Sequence, residues 1–189
     1  MKTLIVILIS LTTTFFYAQE QIIPLTEIGE INEQENVTYY YKDIDGDLNK
    51  FLGTWKLQDA NKELIVTFYL NEHYNLGGTF YDEIYAKFKY SENGTIIYNT
   101  LLENNDSIKN KISGGSIFSD STNKISLSYF EPTDIPYNGA VNPSLNLEFI
   151  TCNTLGCSPQ LKWDIFWTRN RDSDVWPFKI PSHLTLTKQ

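Results

Sequence analysis

Ile125-Ser126-Leu127-Ser128-Tyr129 alternates apolar and small polar side chains without a break. Successive side chains of an extended strand point to opposite faces, so this stretch reads as a strand with one face buried and the other wet. The same period recurs outward from it. Leu145, Leu147 and Phe149 alternate with Asn146 and Glu148, and Leu161, Trp163, Ile165 and Trp167 alternate with Lys162, Asp164 and Thr168. Leu64, Val66, Phe68 and Leu70 repeat it upstream, and Leu184 and Leu186 close the chain between Thr185 and Thr187. Strands are expected at 53–59, 62–70, 82–91, 95–102, 112–119, 124–131, 145–152, 161–168 and 183–188. A helical apolar period is missing, apart from a single turn at Asp47 to Phe51. Strand after strand with polar punctuation argues an all-β fold: an antiparallel up-and-down barrel of eight to nine strands, or a β-sandwich.

Connections at 60–61, 92–94 and 120–123 are tight, whereas those at 71–81, 103–111, 132–144 and 169–182 are long. Turns of a meander fall at alternate ends, so the long connections are expected to gather at one rim. Pro132, Pro136, Pro143, Pro177 and Pro181 stiffen two of them. Long ordered loops on a rigid scaffold are where binding commonly sits.

The chain begins with the charged Lys2, continues through an apolar run from Leu4 to Phe16, and reaches the small Ala18. That run is too short for a bilayer span of roughly 20 residues. It reads as a signal peptide over 1–18, implying a secreted or periplasmic protein. No Cys lies near the cut to take a lipid anchor, and no later run reaches transmembrane length. Residues 19–42 show no period and read as a flexible leader, with Tyr39 to Tyr41 as its first anchor. Residues 43–189 form the barrel domain, expected to be a monomer.

The net charge is −8, and losing Lys2 would take it to −9. Nucleic-acid phosphates demand the opposite balance, so a nucleic-acid partner is excluded. Cys152 and Cys157 are the two cysteines. In an oxidising compartment such a near pair reads as a disulfide stapling a hairpin loop, worth about 2 kcal/mol. A metal site would need further ligands, and the spacing is not that of a Cys-x-x-Cys redox pair.

Candidate sites reduce to ordinary chemistry. Asp43-Ile44-Asp45-Gly46-Asp47 imitates the opening of a calcium loop, but Leu48 stands where the turn glycine belongs and Thr54 where the bidentate Glu belongs. An acidic turn is the expectation. His73 and His183 are too few and too far apart for a zinc site. Ser121-Thr122-Asn123-Lys124 falls at a strand turn, without the helix that would bring Lys onto Ser. Gly77-Gly78 and Gly114-Gly115 read as bends or bulges. No metal, no cofactor and no catalytic residue is therefore expected.

Aromatic residues are in excess, with 4 Trp, 12 Tyr and 11 Phe. Trp163, Trp167, Tyr129 and Phe149 share the inward faces of their strands, which makes them candidate ligand-binding residues in a partly filled interior. Trp176, beside Pro177-Phe178 on the last long loop, is a candidate lid or sugar platform.

Phe51-Leu52-Gly53-Thr54-Trp55, just before the first barrel strand, resembles the Phe-x-Gly-x-Trp opening of the calycins, the superfamily of lipocalins and fatty-acid-binding proteins. The resemblance implies a lipocalin-like barrel in which Trp55 plugs one end and Gly53 allows close approach of the chain. It also implies a late basic residue stacked on the Trp, for which Lys188 is the candidate. Nine crossing strands would put Lys188 and Trp55 at opposite ends; they meet only if one segment, at 112–119, does not cross. The long lid that lipocalins carry after their first strand has no counterpart, since Asp59 to Asn61 allows only a tight turn. The chain as a whole also resembles exported flavobacterial proteins of unknown function. Two functions follow as expectations: a non-catalytic carrier for a small, largely apolar ligand, or a module binding glycan or protein through Trp176, Tyr137 and the long loops.

Overall fold

The computed structural model describes residues 20–103, 112–132, 143–167 and 177–189. In chain order its strands are β1 (Gln21–Pro24), β2 (Tyr39–Lys42), β3 (Gly53–Gln58), β4 (Lys62–Leu76), β5 (Thr79–Glu92), β6 (Thr95–Asn99), β7 (Ile112–Phe118), β8 (Ser121–Tyr129), β9 (Ser144–Ile150), β10 (Gln160–Phe166) and β11 (His183–Lys188). A 3-10 turn at Asp47–Lys50 precedes β3. Eight strands form a closed antiparallel barrel in the order β5, β4, β3, β11, β10, β9, β8, β7, with β7 returning to β5.

The alternating apolar set faces a single interior. Leu64, Val66 and Phe68 of β4, Ile84, Ala86, Phe88 and Tyr90 of β5, and Ile125, Leu127 and Tyr129 of β8 are all buried. Leu145 and Leu147 of β9, Leu161, Trp163 and Ile165 of β10, and Leu186 of β11 join them in one cluster. Each fully buried Leu, Ile, Val or Phe among them stabilises the fold by roughly 1.5–3 kcal/mol. Trp55, Trp163, Tyr90, Tyr129, Phe68 and Phe88 are among the largest fully buried side chains, so rings fill much of the interior. A sandwich would divide this set between two open sheets; the barrel does not.

Nine expected strands become eight in the wall because β6 stays out of the ring. Among the described residues it pairs only with the C-terminal end of β5, from Lys89 to Glu92, and most of it is exposed. The segment at 112–119 does cross, as β7. At 14 residues β5 is long enough for its outer edge to serve three partners in turn. Phe80 and Tyr81 take β2, Ile84 and Tyr85 take β7, and the C-terminal end takes β6.

Two further expectations are corrected. The stretch at 71–81 is not a loop: β4 and β5 run through it to a turn at Gly77-Gly78, with one register shift between Asn71 and Tyr74. The connections expected at 103–111, 132–144 and 169–182 lie mostly outside the described residues, but the ends of β8 and β10 that lead into the last two lie opposite that hairpin turn. The leader at 19–42 is also more than a tether. β1 pairs in parallel with β2, and β2 pairs in parallel with β5. Ile23, Leu25, Tyr39 and Tyr41 are buried in the core cluster, and that burial holds the segment down. Asp82 fixes it from the barrel side, accepting from Tyr40 Oη at 2.5 Å and from the Asp43 backbone N–H at 2.9 Å.

Cys152 and Cys157 face each other in the β9–β10 connection at disulfide distance, their Cα atoms 5.9 Å apart. Among the described residues no helix is long and apolar enough to cross a membrane. The signal peptide, Tyr137 and Trp176 lie outside the described residues.

The β5–β7 seam depends on glycine. Gly114 sits at φ +129°, where L side chains are strained, and β7 shifts register between Gly114 and Ser116. A Cβ on Gly115 would meet the Asp82 carbonyl oxygen at 3.4 Å and Glu83 Cα at 3.5 Å, ordinary contact distances. Gly114→Ala should therefore cost about 1–3 kcal/mol in urea denaturation. Gly115→Ala should cost less than about 1 kcal/mol in the same assay.

Candidate functional site

One barrel end is plugged. Trp55 is fully buried and donates from Nε1 to the Phe51 carbonyl at 2.8 Å. Phe149 packs edge-on to both rings, at 6.1 Å from Trp55 and 6.3 Å from Phe51. Lys188 Nζ lies 5.1 Å from the Trp55 ring centroid, a cation–π placement. Gly53, at φ +92°, turns the chain onto β3 just beneath the Lys188 side chain. Lys188 and Trp55 are register partners on β11 and β3, so the contact follows from the strand count of eight. Phe149, a candidate ligand-binding residue in the sequence, packs within this plug.

The other end gathers Tyr129, Trp163 and Trp167. Tyr129 packs edge-on to Trp163 at 5.8 Å and to Phe178 at 5.3 Å, and Trp167 packs edge-on to Phe178 at 6.1 Å. Beneath these rings lies Glu131, only 4% exposed. Its carboxylate accepts from Tyr129 Oη at 3.1 Å, from the Lys179 backbone N–H at 2.6 Å and from the Ile180 backbone N–H at 2.8 Å. The Tyr98 side chain of β6 supplies a further hydrogen bond. Burial pushes the Glu131 carboxyl above the usual carboxylate range, and these hydrogen bonds pull against it. Near it, Tyr90 Oη and Trp163 Nε1 are buried with no hydrogen-bond partner among the described residues. Burial raises the Tyr90 hydroxyl pKa, with the Glu92 and Glu131 charges adding to it.

Glu131, Tyr90, Tyr98 and Phe178 were not singled out by sequence reasoning. A signal existed for two of them. Glu131 continues the odd-numbered inward set Ile125, Leu127, Tyr129, and Tyr90 continues Ile84, Ala86, Phe88. Period alone placed both inside; their polarity argued the other way.

Outside the barrel a groove of about 240 Å³ runs between the N-terminal segment and the β5–β7 seam, lined by Leu25, Ile28, Tyr74, Leu76, Tyr81 and Gly115 among others. The acidic turn is a cap: Asp43 accepts from the backbone N–H groups of Asp47 and Leu48, each at 2.8 Å. Among the described residues no group of three or more His, Cys, Asp or Glu is placed to hold a metal ion. His73 Nε2 lies 2.9 Å from Glu20 and His183 Nδ1 lies 2.6 Å from Asp164, at opposite barrel ends. Lys124 pairs with Asp120, at 3.2 Å.

Over residues 1–189 the chain matches the family of unknown function DUF6705, and it belongs to that family. No curated protein and no solved structure matches it.

An acid whose pKa is raised by folding favours the folded state while it is protonated. That contribution is complete below the unfolded value of about 4.3 and is lost as pH rises through the folded value. Wild type should therefore gain stability relative to Glu131→Gln as pH falls from about 7 toward about 4.3. Paired urea denaturation across that range reads the difference; a flat difference would mean that the carboxyl titrates as it does in the unfolded chain.

Proposed function

We propose that this DUF6705 protein is exported after loss of residues 1–18 and binds, without transforming it, a small and largely apolar ligand. The binding place is the barrel end of Tyr129, Trp163, Trp167 and Phe178, and the fold kinship is lipocalin-like. An eight-stranded barrel is either just filled by side chains or able to hold one small ligand. With Phe68, Phe88 and the Trp55 plug filling the remainder, the ligand is confined to one end.

One observation carries the reading: among the described residues, Tyr90 Oη and Trp163 Nε1 are buried without a partner beside an aromatic shell. A buried polar atom left unsatisfied costs about 1–3 kcal/mol, and a bound ligand would recover it. Glu131 uses its acceptor capacity to hold Lys179 and Ile180, which leaves it no part as a general base. The paired cysteines suit an oxidising compartment.

A second reading, a module binding glycan or protein on its outer surface, is favoured by the groove beside β7, where Leu76 is 61% exposed. Native mass spectrometry of the protein purified from its own cells separates the two. The carrier reading expects a retained small molecule that is lost in Trp163→Phe and kept in Leu76→Lys. No retained mass, or one sensitive only to Leu76→Lys, overturns it.

A further inference from the structure

The polar atoms at the aromatic end restrict what a ligand can present there. A carboxylate offers about four lone-pair positions, and Glu131 receives hydrogen bonds from Tyr129, Tyr98, Lys179 and Ile180. It has no acceptor capacity left for a ligand amine. It also sets a negative charge in a buried place, against which a ligand carboxylate would be repelled. Among the described residues, the Tyr90 hydroxyl and the Trp163 indole N–H are unused at this end, and both are able to donate.

Both residues stand at this barrel end. Tyr90 continues the inward face of β5, and its β6 register partner Tyr98 is itself bonded to Glu131. The Trp163 ring lies 5.8 Å from that of Tyr129, whose hydroxyl donates to the same carboxylate. We infer that Tyr90 Oη and Trp163 Nε1 are the head-group contacts of the site, and that its ligand is an apolar body carrying a neutral oxygen acceptor, an alcohol or a ketone. The inference rests on the binding reading above and adds the chemical class. A fatty acid of equal length is excluded by charge, and a fatty amine by the saturated carboxylate.

The test titrates purified protein with octanol, octanone, octanoate and octylamine, following tryptophan fluorescence and native mass. Octanol and octanone should bind at least about tenfold more tightly than octanoate or octylamine. Tyr90→Phe and Trp163→Phe should each weaken octanol and octanone about tenfold. Tyr90→Phe should leave the unfolding midpoint of the ligand-free protein unchanged or raised, because it removes a partnerless hydroxyl. Octanoate binding as well as octanol would overturn the head-group class and leave the carrier reading standing. So would octanol affinity that ignores both substitutions. Binding of none of the four, with only an ordered water on Tyr90 and Trp163 in crystals grown with octanol, would overturn the inference and the carrier reading together.

Discussion

Closing eight strands into a ring requires two junctions between segments remote in sequence, and both are short. β11 meets β3 through two register pairs, Thr187 with Lys56 and Lys188 with Trp55. β7 meets β5 through two more, Ile84 with Gly114 and Tyr85 with Ser113. Neither ladder is long enough to carry the closure on backbone hydrogen bonds alone, so each is reinforced by a residue type with a specific steric role. At the first, Lys188 lies over the Trp55 ring while Gly53 turns the chain beneath it. At the second, Gly114 at φ +129° takes the backbone conformation where β7 shifts register against β8, next to its pairing with β5. If either junction opened, the interior rings would face water along a whole edge.

The two barrel ends use aromatic residues differently. At the plug, Trp55 has its indole N–H satisfied by Phe51, and its ring packs against Phe149. At the far end the rings of Tyr129, Trp163, Trp167 and Phe178 pack around a carboxylate that ties the chain after β8 to the chain before β11. A buried acid there holds the segment before β11 by its backbone rather than by an apolar side chain, which fixes position as well as burial.

Strand positions were legible because period 2 is a local property. The inward faces of β4, β8, β9, β10 and β11 can be read directly from Leu64 to Phe68, Ile125 to Tyr129, Leu145 to Leu147, Leu161 to Ile165 and Leu184 to Leu186. Partner choice was less legible because pairing is not local. Thr95–Asn99 carries Ile96, Ile97 and Tyr98 and looks like any wall strand, yet β5 has only one outer edge and β7 occupies its middle. The same holds for the leader, where Ile22 and Ile23 are too brief to show a period and their parallel pairing leaves no turn signature. At the site, the aromatic members were readable from strand parity. Glu131 was not, because a charged residue following a strand is usually solvated and only the surrounding donors reverse that.

The parallel strap formed by β1 and β2 bears on the order of assembly. Its anchor is Phe80 and Tyr81, which belong to a strand that follows it in the chain. A polypeptide emerging N-terminus first therefore releases the strap well before any edge exists to receive it, and loop-closure entropy opposes the pairing until the β4–β5 hairpin has formed. Docking of the strap therefore follows that hairpin in assembly, although its residues come first in the chain.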